Sequence, residues 1–89
     1  MFWWGRLRIQ SKDPAVRRRA VEELGTTGDA RAGFRLARTL QDPVDEIRRV
    51  SALALGRLCD ARGVDPLIWA LEDPNEDVGT SAARALGWI

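Results

Sequence analysis

The sequence holds no histidine and no tyrosine, one cysteine, and a single lysine, Lys12, among its fourteen basic residues. Each scarcity excludes something. Without histidine there is no imidazole base, no Ser–His or Cys–His nucleophile pair and no histidine metal ligand. One cysteine, Cys59, can form neither an internal disulfide nor a cysteine zinc site. A reducing cytoplasm is therefore the expected compartment. No apolar run approaches the roughly 18 residues of a membrane span. The opening Phe2-Trp3-Trp4 is followed at once by Gly5, Arg6 and Arg8, so no apolar signal-peptide segment forms. Gly25-Thr26-Thr27-Gly28 is too short for a phosphate loop and carries no lysine. The carboxylate pairs Glu22-Glu23 and Glu76-Asp77 are neighbours in sequence and suit solvated helix faces. The reading is a protein with no catalytic residue, no metal and no cofactor.

What is present is repetition. Val16, Ile47 and Val78 stand 31 residues apart, and so do Ala20, Ser51 and Ala82. The same interval links Leu24, Leu55 and Leu86, then Gly25, Gly56 and Gly87. It also links Leu36 with Leu67, Leu40 with Leu71, and Asp42-Pro43 with Asp73-Pro74. Only Asp13-Pro14 is out of step, by two residues. At 89 residues the chain has room for one small domain.

Each unit reads as two helices, A and B. Helix A of the second unit is predicted to start at Asp42-Pro43, a capping residue followed by a proline suited to the first turn. Ile47, Val50, Ser51, Ala54 and Leu55 fall on one face at helical spacing. Gly56 is expected to end the helix. Helix B is predicted from Asp60, with Val64, Leu67, Ile68 and Leu71 buried; Gly33, Leu36, Ala37 and Leu40 are the equivalents in unit one. Small residues at mid-helix (Ala20, Ser51, Ala52, Ala82, Ala83) let neighbouring helices approach closely. Cys59 falls at the place of Gly28 and is expected to be a small, at least half-buried linker residue. Arg17 and Arg48 are expected to tie adjacent units to linker aspartates, and the rest of the run Arg17-Arg18-Arg19 to face solvent. No segment alternates for long enough to make a strand. The fold expected is all-α, an α-solenoid: a right-handed superhelical stack of antiparallel helix pairs, about 2.5 repeats of 31 residues. Residues 1–12 form an aromatic N-terminal cap segment. Residues 13–89 form the repeat domain, with units near 13–41, 42–72 and a partial 73–89.

From Asp13 to Gly87 these residues resemble the HEAT repeat, in the short bacterial form called PBS-lyase HEAT-like. The likeness rests on the Asp-Pro start, the Val-Arg-Arg or Ile-Arg-Arg run, the Leu-Gly close and the Gly-Asp-Ala-Arg linker at 28–31. Gly79 departs from it, standing where Arg17 and Arg48 do. The resemblance implies an interaction module, an adaptor or scaffold, or a fragment of a longer solenoid. It also implies that the B helices line the binding side.

Charge is uneven. Residues 1–41 carry nine basic and four acidic side chains; residues 42–89 carry five and nine. The surface of the B helices supplies the candidate partner-binding residues: Arg31, Phe34, Arg35, Arg38, Arg62 and Trp69. Arg38 and Trp69 are 31 apart, and arginine and tryptophan dominate binding hot spots. The favoured partner is another protein. The alternative is nucleic acid or another anionic ligand, with Trp69 stacking on a ring. A net charge of +1 argues against it. A bilin-lyase-like subunit rests on the resemblance alone, and a membrane partner on Trp beside Arg in a short segment. Helix A of unit three has no helix B after it. Trp3, Trp4, Trp88 and Ile89 are therefore candidate end contacts, for end-to-end self-association steered by the opposite charge of the halves.

Overall fold

The computed structural model describes residues 8–28 and 30–89. Phe2, Trp3, Trp4 and the aromatic cap expected at the N-terminus lie outside the described residues, as does Asp29. Among the described residues the protein is all helical, with no strand. Five α-helices follow in order: α1 (Pro14–Thr27), α2 (Ala30–Thr39), α3 (Asp45–Leu58), α4 (Val64–Ala70) and α5 (Glu76–Trp88). A 3-10 turn, Ala61–Gly63, leads into α4. α1, α3 and α5 are the A helices, packed side by side, with α3 in the middle; α2 and α4 are the B helices. α2 lies chiefly against α3, and α4 against α5, so each B helix packs more on the following A helix than on its own.

The starts of the A helices restore the register that Asp13 had broken. Asp13 caps α1, its carboxylate accepting from Ala15 N at 2.9 Å, with Pro14 in the first turn. Its equivalents at the 31-residue interval are Val44 and Asn75, which hold the N-cap positions of α3 and α5. Asp42 is not the cap of α3. That helix begins three residues later, at Asp45. Asp42 and Asp73 instead accept from the amide nitrogens of Val44 and Asn75, at 2.9 and 2.8 Å. In unit one Ser11 does the same for Asp13 N at 3.1 Å. One turn of backbone is thus built three times with interchangeable acceptors.

The glycines closing the A helices do not end them. α3 runs through Gly56 to Leu58, and the left-handed residue is Cys59, φ 52°. Its equivalent in unit one is Gly28, φ 70°. Cys59 is exposed, not half-buried, because the linker turns outward there; its Sγ donates to Gly56 O at 3.4 Å. Gly25 and Gly56 serve packing. A β-carbon on Gly25 would lie 2.8 Å from Ala54 Cβ, and one on Gly56 2.7 Å from the Cα of Ala85. Successive A helices therefore meet glycine against alanine, twice, in the same register.

The core runs through this contact. Val21, Leu24, Leu36, Ile47, Leu55 and Leu67 are buried in one cluster. Ser51 is buried too, its Oγ 2.7 Å from Ile47 O and 2.6 Å from Thr39 Oγ1. The buried stripe of the B helices differs from expectation. Ala32 and Leu36 are buried in α2 and Leu40 just after it; in the next unit Gly63 is buried at the end of the 3-10 turn, and Leu67 and Ala70 in α4. Ile68 and Leu71, expected in the core, are 50% and 42% exposed. Leu40 is covered where the following helix pair, α3 and α4, stacks on α2; among the described residues no helix pair stacks on α4 to cover Leu71. α4 is also short. Pro66 has no N–H to bond back to Arg62, so the chain closes Ala61–Gly63 as a 3-10 turn and becomes α-helical only at Val64. The equivalent of Pro66 in unit one is Arg35, and α2 runs unbroken.

Candidate interaction groove between the B helices

Residues four apart share a helix face. Phe34 and Arg38 are so placed on α2, and Asp65 and Trp69 on α4. The 31-residue interval sets Phe34 in register with Asp65, and Arg38 with Trp69. Between the two helices lies an open groove of about 700 Å³ that all four residues line. Ala37, Leu40, Pro66 and Ala70 form part of its floor and walls, and Gln41 and Asp73 its far edge. Each helix brings one aromatic ring and one charge, and the pair is crossed: aromatic faces charge on both sides.

The rings are not folded down. Phe34 is 76% exposed and Trp69 79%. Pro66, one turn before Trp69, stiffens that side of the groove. Arg38 and Asp65 are exposed and pair with no charged group among the described residues. Two large apolar surfaces and two uncompensated charges of opposite sign thus meet in one depression.

The other sequence-predicted residues fall elsewhere. Arg62 is held by its own linker aspartate, Nη2 to Asp60 Oδ2 at 2.7 Å. That guanidinium and the Arg62 amide hold the Asp60 carboxyl down to about 2. Arg35 is half-buried, its Nε enclosed without a hydrogen-bond partner among the described residues, so it does not point outward as expected. Arg31 is exposed but already engaged in an interaction. The four arginines therefore do not converge: only Arg38 lines the groove. Asp65 and Pro66 were not among the predicted binding residues. The register signals Asp65, which stands 31 residues after Phe34.

Behind the groove, an ion-pair ladder fixes the spacing of the units. Arg17 grips Asp42 with two hydrogen bonds, 2.9 and 3.0 Å, and donates to Ser11 O at 2.8 Å. Arg48 grips Asp73 at 2.8 and 3.2 Å and donates to Asp42 O at 2.8 Å. Both pairs are largely shielded from solvent. A second, more exposed rung joins Arg18 to Glu46 at 3.3 Å. Arg19 faces solvent. At the C-terminal end Trp88 lies over Gly56 and Ile89 approaches Gly63, both still partly exposed.

No group of three or more metal-binding side chains gathers among the described residues. No helix there is long and apolar enough to cross a membrane. No curated protein matches the chain. The family model described as HEAT repeats matches residues 34–89, which is more than half of the sequence. With helix pairs stacked at a 31-residue interval and A helices joined by an arginine–aspartate ladder, this chain belongs to the HEAT repeat proteins.

Proposed function

We propose that the protein is a non-catalytic protein–protein interaction module, a small adaptor or scaffold that holds a protein segment in the groove between its two B helices. The observation that carries this reading is the pair of exposed rings, Phe34 and Trp69, on either side of a groove whose two charges, Arg38 and Asp65, have no charged partner among the described residues. Exposed aromatics beside arginine are the residue types from which binding hot spots are made. HEAT repeats generally serve as interaction scaffolds, which is the coarser statement that the family supports.

An anionic-ligand or nucleic-acid site fits less well, since Arg31, Arg35 and Arg62 stand outside the groove and Asp65 and Asp73 stand within its lining. The two readings separate cleanly. The tagged chain and its Trp69→Ala and Arg38→Ala variants are used to retain partners, and retained proteins are titrated against each form. Trp69→Ala is expected to weaken the partner by more than about 1 kcal/mol with helicity unchanged. Equal retention by Trp69→Ala, or binding of oligonucleotide that falls steeply with salt, overturns the protein-groove reading.

A further inference from the structure

The groove between α2 and α4 lies inside the stack, with a B helix on each side. Phe34 has the following unit beside it, α2 meeting the 3-10 turn that leads into α4, and its ring is still 76% exposed. The walls differ along the groove as well as across it. Toward the helix starts they carry Phe34 and Asp65; one turn on, about 6 Å, they carry Arg38 and Trp69. Each charge stands opposite a ring, so Arg38 and Asp65 lie on a diagonal, and neither has a charged partner among the described residues. The other carboxylate in the lining, Asp73, is already gripped by Arg48. The groove therefore offers a cation and an anion in a fixed order over a floor of Ala37, Leu40, Pro66 and Ala70.

We propose that the occupant is an amphipathic helix of another protein carrying one acid and one base on either side of its apolar stripe, the acid over Arg38 and Trp69 and the base over Asp65 and Phe34. This rests on the groove reading above and adds the chemistry of the partner. A basic side chain at the first level lays its stem along the Phe34 ring and ends at the Asp65 carboxylate. An acidic side chain at the second level meets the guanidinium fork of Arg38, its methylenes on the Trp69 indole. Three to five residues of helix rise about 4.5–7.5 Å, which brackets the one-turn offset of the two walls. The occupant is helical because the walls are. An extended segment gains main-chain hydrogen bonds where a sheet edge is offered, and the main chain of α2 and α4 is already bonded within each helix. A helix satisfies its own main chain and brings only side chains to the groove. Asp65 opposes a purely acidic segment and Arg38 a purely basic one. Residues 1–7 of this chain hold one base and no acid, so they do not supply the pair.

The probes are three hydrocarbon-stapled, fluorescently labelled helices with the same leucine stripe, flanked by a glutamate and an arginine, by two glutamates, or by two arginines. Each is titrated by anisotropy against the full chain at fixed salt. The glutamate–arginine helix is expected to bind saturably and at least about tenfold more tightly than the other two. Arg38→Glu should move the preference to the two-arginine helix, and Asp65→Arg to the two-glutamate helix. Both positions are exposed, so the melting temperatures of these variants should stay near that of the parent. Arg19→Glu, at an exposed position outside the groove, should leave the preference unchanged. Equal binding of the three helices, each lost with Trp69→Ala, overturns the charge pattern and leaves the groove reading standing. Binding of none of them at millimolar chain overturns the proposal, while the groove reading is decided by partner retention on Trp69→Ala. Equal binding of an unstapled glutamate–arginine peptide with a central proline overturns the helical occupant. Sedimentation of the chain alone as a dimer that Arg38→Glu converts to monomer assigns the groove to a second copy and also overturns the proposal.

Discussion

Gly25, Gly56 and Gly87 are one residue in sequence terms and two in physical terms. The first two stand where helices nearly touch; the third faces open space. Alanine raises helix propensity over glycine by about 1 kcal/mol at all three. At Gly56 that gain is overwhelmed, because the new methyl would fall 2.7 Å from both the Cα of Ala85 and the ring of Trp88. Gly56→Ala is expected to cost about 1–3 kcal/mol as the helices are forced apart. Gly87→Ala should stabilise by roughly 0.5–1 kcal/mol. Urea denaturation of the two variants checks the pair; equal and opposite-to-expected shifts would remove the glycine–alanine contact from the account. The interval between these glycines was legible in the sequence. Their role was not, since a Leu-Gly close looks the same whether the glycine turns the chain or admits a neighbour. Only the space beside it distinguishes the two.

At the scale of elements, the ladder does what the B helices cannot. α4 has two α-helical turns and leaves Ile68 and Leu71 exposed, so it holds α3 and α5 together weakly. Arg48 compensates by bonding Asp73 and Asp42 O at once. Arg48→Ala is expected to cost about 1.5–3 kcal/mol, the range for hydrogen bonds to charged groups left without a partner. Exposed Arg19→Ala should cost under about 0.5 kcal/mol. Thermal melts of the two variants give the comparison. Acid provides an independent handle. Burial raises the pKa of Asp73, but the hydrogen bonds from Arg48 and Asn75 N and the nearby Arg48 charge outweigh it, so the group sits below its ordinary value. A carboxyl depressed in the folded state contributes stability that is present above its unfolded pKa and lost as pH falls through the folded one. Stability should therefore decline below about pH 4, and Asp73→Asn should flatten that decline in melts taken from neutral to acid pH. The arginine–aspartate pairing was readable from spacing alone, because both members recur at the repeat interval. The helix starts were not. Asp-Pro at 42–43 looks like a cap, and Asp13-Pro14 is one; the difference lies in Val44 and Asn75, which take the cap position although only Asn75 has a side chain that can bond there.

For the whole molecule α3 is decisive. It packs against both other A helices and against α2, and it holds Ile47, Val50, Ala52, Ala54 and Leu55 in the core. Leu55→Ala should cost about 2–5 kcal/mol, a large share of the 5–15 kcal/mol of an ordinary domain. It should lower α1 and α5 together in one transition. Hydrogen exchange showing α5 protected after α1 has opened would mean that the units melt separately. The all-helical stack was legible at this scale because the period of 31 persists through so many apolar positions. The groove was legible only in part. Phe34, Arg38 and Trp69 could be placed on one side from their spacing, but the half-burial of Arg35 has no signal in the pattern, and the Arg62–Asp60 pairing belongs to the 3-10 turn ahead of Pro66, which pattern alone does not convey.

Because each A helix packs mainly on its immediate neighbours, the molecule behaves as a ruler with one graduation. Inserting a further copy of residues 28–58 directly after Leu58 would present Gly56, Ala52 and Arg48 once more to the same kind of neighbour, and nothing else would have to move. The groove of Phe34, Arg38, Asp65 and Trp69 would form again between the inserted copy of α2 and α4, and a second groove, with a phenylalanine and an arginine on each wall, would open between the two copies of α2, about 8–10 Å away. Two bound segments would thus be set apart in fixed increments, and the reach of the assembly would be tuned by counting units.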